Sequence, residues 1–393
     1  MMLKKYTSRD VKTGGRILMR IDANVPVANG KVQEGSNGRL AKTIPEIKKL
    51  AQRKAKVILM SHFGRPNGKP DSKYSLQPVV SQLSKLLGKK IKLAPAVIGS
   101  EVVTMVERMK PGEVIMLENL RFHSGEQRNN AKFAKELARL GDVYINSAFG
   151  VCHRKDASVN AITKYLPSFA GELVFEEIKQ LSKPFAKPFI LVMAGVKLET
   201  KVGILNKLAP KASAVLVGGG MSITLLSAKY QKALRIGGQK IPHAEFVLAK
   251  KLLDKFGERI YCPLDYKIAK TDKPKKLDEK MIKEVGPKDF IFDIGSHTEE
   301  LYRRVLQTAN SVVWNGPMGI IENPKSIHGT EFIAKVISDL QDARTIVGGG
   351  DTVAFIDQQG LGKGFDLLST GGGAMLAYLA GEAMPGLEPL WED

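Results

Sequence analysis

Short apolar, β-branched runs recur along the whole chain, separated by segments whose apolar residues return every three or four positions. The first half carries such runs at 17–21, 57–60, 114–117 and 143–145. The second half adds 189–193, 214–217, 260–262, 290–292, 312–314, 345–347 and 367–369. Runs this short and continuously apolar suit strands buried on both faces, as in parallel sheets. Between them, Phe133, Leu137 and Leu140 share one helical face of 130–140, and Phe246, Leu248, Leu252, Leu253 and Phe256 form another after Pro242. Strand alternating with helix in this way predicts an α/β protein built on open, doubly wound parallel sheets.

About eleven strands exceed one comfortable sheet, so the pattern predicts two Rossmann-like domains. The join falls at 167–188, where a helical segment at 171–181 runs into Pro184 and Pro188. The expected organisation is an N-terminal domain over 1–168, a connecting helix and hinge over 169–187, a C-terminal domain over 188–375, and a tail over 376–393. The lysine-rich stretch 270–280 reads as a solvated loop.

With 393 residues, 43% of them apolar and 25% charged, the chain is an ordinary soluble globular protein by composition. Its two cysteines, Cys152 and Cys262, exclude a disulfide framework and a four-cysteine zinc site. Neither a signal-peptide pattern nor a run of about 20 apolar residues is present, so the expected setting is the cytoplasm, with no membrane. The formal charge is +20, and it is unevenly spread. Residues 1–170 hold 31 Lys and Arg against 13 Asp and Glu, whereas 171–393 hold 29 against 27. A first half this basic suits an anionic partner: a phosphorylated small molecule, or nucleic acid bound on a basic platform. No RRM-like run or helix-turn-helix pattern supports the latter.

The sharpest local signal is an apolar run, three glycines, then a helical pattern. It occurs three times in the second half, at glycines 218–220, 348–350 and 371–373. Glycine permits a sharp turn and close approach of a ligand, and a helix starting there offers free N–H groups to an anion. The alternative is that each triplet only makes a tight turn. None matches GxxxxGK[ST] or GxGxxG, which sets aside a P-loop ATPase and an ordinary dinucleotide enzyme. Asp351 and Thr352 follow the second triplet, where a carboxylate can hold Mg²⁺ and a hydroxyl can bond phosphate, or the Asp can simply cap the helix. Lys197 and Lys201, four apart after the run at 189–193, would share a helical face and could both reach a phosphate tail.

Arginine is concentrated in the first half, with 11 of 16 before residue 170. Arg65, Arg121 and Arg154 each follow a predicted strand, where open α/β sheets place ligands. Asp22 and Asn24 end the first run, His62 stands beside Arg65, and Arg39 follows a glycine-containing loop. Converging guanidinium groups would suit a small molecule bearing phosphate and carboxylate. The competing reading is a set of separate strand-end salt bridges. Cys152, close to Arg154, could be an activated thiol or a packed one.

These residues lie in segments that resemble phosphoglycerate kinases. The resemblance covers about 16–385 and rests on RIDANVPV at 20–27, SHFGRP at 61–66, LENLRF at 117–122 and INSAFGVCHR at 145–154. VGGGM at 217–221, VWNGPMGIIE at 313–322, GGGDT at 348–352 and STGGGA at 369–374 extend it. It implies a monomeric two-domain kinase that moves a phosphoryl group between ATP and 3-phosphoglycerate, or between 1,3-bisphosphoglycerate and ADP, with Mg²⁺, by hinge closure. Asp22, Asn24, Arg39, His62, Arg65, Arg121 and Arg154 would bind the triose acid. Lys197, Lys201, Gly295, Glu322, Gly349, Gly350, Asp351 and Thr352 would bind the nucleotide, with Asp351 on the metal. Arg39, Lys197, Lys201, Gly371 and Gly372 would face the transferring group, and the tail would return to the first domain.

Four departures from the family pattern stand out. Ala194 occupies a usual glycine and is expected to crowd a phosphate; Ser147 stands where an acid is usual, and Ala377 where a glutamate is. The loop 33–38 is longer than usual. A catalytically impaired homologue serving as a scaffold is therefore the alternative to an active kinase.

Overall fold

The computed structural model describes residues 2–35, 38–231, 234–236 and 239–392. The chain divides into two compact units, Met1–Ser182 with Glu382–Asp393, and Lys183–Gly381. In the first unit, six parallel strands form one sheet: β1 Arg16–Arg20, β2 Lys56–Met60, β3 Lys92–Leu93, β4 Val114–Met116, β5 Val143–Asn146 and β6 Ser168–Ala170. Their order is β3-β4-β2-β1-β5-β6. Successive residues point to opposite faces, and both faces are covered. Ile17, Met19, Val57 and Leu59 enter one core, while Leu18, Ile58 and Met60 enter the other. Two-sided burial is why these strands read as unbroken apolar runs.

The second unit carries β7 Phe189–Ala194, β8 Ala214–Gly218, β9 Ile260–Tyr261, β10 Asp265–Ala269, β11 Asp278–Met281, β12 Phe290–Ile294, β13 Ser311–Asn315, β14 Arg344–Gly348 and β15 Leu367–Ser369. Its main sheet is parallel, ordered β9-β8-β7-β13-β14-β15. Counted from β7 this is the 3-2-1-4-5-6 arrangement, whose order reverses between β7 and β13 and opens a crevice at their carboxyl ends.

All eleven expected runs lie at strands, but 290–292 belongs to an antiparallel sheet, β11-β10-β12, rather than a parallel one. The expected solvated loop 270–280 is corrected at its end. Residues from Asp278 join β11 and pair with β10, and Lys270 and Lys280 reach the buried Asp289 at 2.5 and 3.2 Å. Strands β3 and β6 give no recognisable run because each opens on a polar residue, Lys92 or Ser168, and is only partly buried.

The unit boundaries also differ from those expected. The helix Glu172–Leu181 packs with the first unit: Gly171 N–H donates to Asn146 O at 2.8 Å and Glu172 N–H to Glu46 Oε1 at 2.9 Å. The helix Gly372–Leu379 stays with the second, because Gly372 lies against Gly349 so closely that a Cβ would come 2.5 Å from its Cα. The tail therefore starts at Glu382. Asn160 Nδ2 donates to Pro385 O at 2.8 Å, Lys4 N–H donates to Leu390 O at 2.7 Å, and Leu387 and Leu390 are fully buried.

This division changes the charge map. The helix and the tail bring seven acids to the first unit, which then holds 32 basic residues against 20 acidic, and the second holds 28 against 20. The net charges are +12 and +8, not the steep step that the linear halves suggest.

Because the tail completes the first unit's core, Leu387→Ala should cost that unit about 2–5 kcal/mol. Urea unfolding followed by Trp391 fluorescence measures it; an unchanged midpoint would show that the tail is peripheral.

Candidate active site

On the first unit, the carboxyl ends of β1, β2, β4 and β5 deliver the polar residues. Arg20, the last residue of β1, is fully buried and was hidden in the sequence inside the apolar run 17–21. A lone charge inside such a run was the signal that could have found it. Its Nη2 donates to His62 Nδ1 at 2.9 Å, and its Nε donates to Ser158 Oγ at 3.0 Å. Ser158 Oγ in turn donates to the buried Glu126 at 2.6 Å. Guanidinium has no acceptor, so the His62 ring accepts at Nδ1 and carries its proton on Nε2.

His62 Nε2 is buried without a partner among the described residues, as is Arg121 Nε. Burial first, and then Arg20, Arg121, Arg154 and Arg39, hold the His62 pKa well below its ordinary value. The ring is therefore a neutral donor. Arg121 Nη1 donates to Gly64 O at 2.7 Å, and burial followed by Arg154 lowers its own pKa. The guanidinium groups of Arg65, which is exposed, and Arg154, which is half-buried, make no hydrogen bond or ion pair among the described residues. Mutual repulsion in a partly dry pocket is unfavourable unless an anion enters.

Arg39 opens the helix Arg39–Gln52. Its Nη1 donates to Asn24 O at 2.8 Å and lies 3.5 Å from Asp22 Oδ2, while Asn24 Oδ1 accepts from Gly64 N–H at 2.9 Å. Asp22 and Asn24 thus orient Arg39 and the turn before Arg65. Residues 36 and 37 of the expected long loop lie outside the described residues, but Glu34 Oε2 accepts the Leu40 N–H at 3.2 Å, tying the loop to the start of the helix.

On the second unit, each glycine triplet sits where expected, at the junction of a strand and a helix. A residue not anticipated joins them. Asn315, at the end of β13, accepts from Lys201 Nζ and donates from Nδ2 to Gly348 O at 2.8 Å. Its place at a strand end, directly before Gly316, was the sequence signal. Thr352 Oγ1 is buried with no partner among the described residues, and a Cβ on Gly349 would stand 3.5 Å from it and 3.2 Å from Asn315 Nδ2. Asp351 is exposed on the first turn of the helix Gly350–Gln358 and makes no ion pair among the described residues.

Lys201, Gly349 and Gly372 therefore gather around Asn315, with Thr352 beside Gly349. The shared helical face expected for Lys197 and Lys201 is corrected. The chain turns at Gly195, whose φ is +148°, and the helix begins only at Glu199, which leaves Lys197 exposed in the loop. Lys201 is half-buried, and burial lowers its pKa. Gly295 packs against the Asp265 carboxylate, to which a Cβ would come within 2.4 Å, and Glu322 is exposed in the segment after β13.

The departures from pattern occupy packed positions. Ala194 is 1% exposed, with its methyl beside Gly218 of the neighbouring strand rather than open to a phosphate. Ser147 is buried and donates to Glu46 Oε2, and Ala377 lies inside its helix at 5% exposure. Cys152 is fully buried, its thiol pushed up to about 12 by burial, so it is a packed thiol.

Comparison with known proteins agrees with this geometry. The family model for phosphoglycerate kinase matches residues 8–382. The phosphoglycerate kinase of Trichodesmium erythraeum is 41% identical over 98% of this chain and 97% of its own. That of Leptospira biflexa is 40% identical, covering 96% of each. Among solved structures, the phosphoglycerate kinase of Pyrococcus horikoshii superposes with a TM-score of 0.86 at 28% identity, over 97% of this chain and 96% of that one. The Coxiella burnetii enzyme gives 0.77 at 32% identity, with 97% of each covered.

The depressed His62 pKa has a testable sign. The unfolded ring takes up its proton near pH 6.5 while the folded ring stays neutral. Its contribution should be intact above about pH 6.5 and diminish below. NMR of the ring should show no titration between pH 6 and 8; an ordinary titration curve would refute the buried neutral donor.

Proposed function

The chain belongs to the phosphoglycerate kinase family, and on that premise we propose how its own residues share the work. The enzyme is a phosphotransferase that moves a phosphoryl group reversibly between ATP and the carboxylate of 3-phosphoglycerate, giving ADP and 1,3-bisphosphoglycerate in glycolysis. The observation that carries the division is that buried polar atoms without a partner among the described residues lie in the turns and first helical residues that follow the carboxyl ends of strands. His62 Nε2 and Arg121 Nε lie on the first unit, and Thr352 Oγ1 on the second. Each costs about 1–3 kcal/mol while unmet, which a bound anion or hydroxyl would relieve.

On this reading His62, Arg65, Arg121 and Arg154 hold the triose acid, with Asp22 and Asn24 aligning Arg39. Lys197, Lys201, Asn315, Gly295, Glu322, Gly349, Gly350 and Thr352 receive the nucleotide. Asp351, an exposed carboxylate next to the unmet Thr352 hydroxyl, fits a Mg²⁺ ligand. The ion would supply charge neutralisation on the nucleotide phosphates.

A carboxylate is already ionised at pH 7, so the substrate oxygen attacks phosphorus without a general base. As that O–P bond forms, the bond from the transferring phosphorus to the bridging oxygen breaks, and ADP leaves with the electron pair. The protein's work is alignment and neutralisation. Arg39, Lys197, Lys201 and the N–H groups at Gly371 and Gly372 supply it. The enzyme acts as a cytoplasmic monomer, and closure about the chain crossings at 182–183 and 381–382 brings the ligands together and excludes water.

A coupled assay with ATP and 3-phosphoglycerate tests the assignment. Arg39→Ala should lower kcat about 100-fold, and Lys197→Ala should also reduce it. Absence of turnover in the intact protein that still binds ATP would sink the reading. Small-angle scattering should record a smaller radius of gyration with both substrates; an unchanged radius would count against closure.

A further inference from the structure

The reaction as described leaves one buried carboxylate of the second unit unused. Asp293, near the end of β12, is 1% exposed. Its Oδ2 accepts the Gly329 N–H at 2.8 Å, and its Oδ1 accepts the Ile294 N–H at 2.9 Å. Gly319 and Gly329 both back onto it, since a Cβ on either would stand 2.4 Å from Oδ1. A single carboxylate thus touches both ends of the segment 319–329, which carries Glu322.

The rest of the segment is fastened around that point. Ile320 N–H donates to Phe292 O at 2.9 Å, and Ser326 Oγ donates to Ile320 O at 2.8 Å. The buried Thr330 Oγ1 accepts the Met318 N–H at 3.0 Å. Met318 O accepts the Gly219 N–H at 3.0 Å, which ties the segment to the glycine turn after β8.

Three charged or titratable groups face Asp293 from the elements around it. Lys267 on β10 and Glu299 on the helix Ser296–Leu306 act on it directly, and His328, which opens the helix His328–Ser338 beside Gly329, contacts both of them. Lys267 Nζ lies 3.2 Å from Glu299 Oε1 and 2.9 Å from His328 Nδ1, so its ammonium is engaged there. Asp293 is left to be met by backbone N–H groups. Two such donors on two oxygens require a carboxylate: an amide has one acceptor, and its NH₂ would confront a donor.

We propose that Asp293 is a positioning residue for phosphoryl transfer, its carboxylate holding the segment 319–329 so that Glu322 meets the nucleotide. The inference rests on the assignment of the nucleotide to this unit. Burial pushes the carboxyl up to about 7. Protonation below that point converts one acceptor oxygen to a donor and releases one N–H.

The test is Asp293→Asn in the full-length enzyme. The ADP dissociation constant and the KM for ATP should rise about five- to tenfold, while kcat and the KM for 3-phosphoglycerate stay within about twofold. The thermal midpoint should stay within about 3 °C. The wild-type KM for ATP should rise as pH falls from 8 to 6, the variant should be flat, and His328→Gln should keep the wild-type dependence. A folded Asp293→Asn enzyme with wild-type ADP affinity and pH profile overturns the role. Should that variant not fold, Thr330→Val removes the acceptor for Met318 N–H and loosens the same segment; wild-type nucleotide KM there overturns it equally. Thr352→Val separates the two claims. Unchanged ADP affinity in that variant sinks the nucleotide assignment itself, whereas weakened binding there beside wild-type binding in Asp293→Asn sinks only the role of Asp293.

Discussion

Parallel strand direction is the constraint from which the chemistry of this protein follows. In each unit six strands run the same way, so each sheet collects its carboxyl ends along one edge. The turns there leave N–H groups and strand-end side chains with no sheet partner. The first unit fills that edge with guanidinium groups and a neutral imidazole. The second fills it with glycine turns, an asparagine and a hydroxyl. Both edges end in buried polar atoms that lack partners. Such atoms persist in a stable fold only when the surrounding packing over-determines them. His62 is the clearest case: Arg20, held by Ser158 and backed by Glu126, fixes its ring at Nδ1 and leaves Nε2 unmet among the described residues.

The same direction accounts for the position of part of the basic surplus. Arg16 and Lys56 open β1 and β2, and Arg53, Lys54, Lys89, Lys90, Lys110 and Arg139 lie just before strands. These residues occupy the amino ends of the sheet, the edge away from His62 and Arg121. Five residues of strand span about 16 Å, twice the screening length of about 8 Å at physiological salt. This part of the surplus therefore adds little to the potential around His62 and Arg121. Several of its members serve the fold instead: Arg16 pairs with Asp142 at 2.5 Å, and Lys89 Nζ donates to Gly112 O at 2.7 Å. The site's cationic character comes from a few arginines at the opposite edge.

What could be read from the chain, and what could not, divides along physical lines. Strands buried on both faces left continuous apolar runs, and glycine triplets marked the strand-to-helix turns. Both are local properties. Arg20 escaped notice because the role of a buried charge inside a strand is set by partners 41 or more residues away, Ser61, His62 and Ser158. Asn315 escaped for a similar reason, since its meaning lies in Lys201 and Gly348. The misread helical face of Lys197 and Lys201 shows the opposite error. Spacing alone suggested a helix, but Gly195 at φ +148° delays its start. Glu172–Leu181 and the tail were expected as separate pieces because tertiary hydrogen bonds, not composition, decide which unit owns them.

Glycine in this protein has two reasons to exist, and the structure separates them. A Cβ on Gly219 would stand 2.9 Å from Gly195 O, one on Gly220 2.4 Å from Val196 O, and one on Gly372 2.5 Å from Gly349 N. These turns pack backbone on backbone, and packing alone would demand glycine there with or without a ligand. Gly349 differs. A Cβ on it would come no closer than 3.2 Å to Asn315 Nδ2 and 3.5 Å to Thr352 Oγ1, and it is held at a φ of +111°. Close packing does not exclude a side chain at that position; conformation disfavours one, and the space it would fill borders a hydroxyl without a partner. The triplets together build a scaffold, and Gly349 is the place where that scaffold leaves room. Gly219, Gly220 and Gly372 are thus glycine for their neighbours' sake, and Gly349 for its backbone conformation.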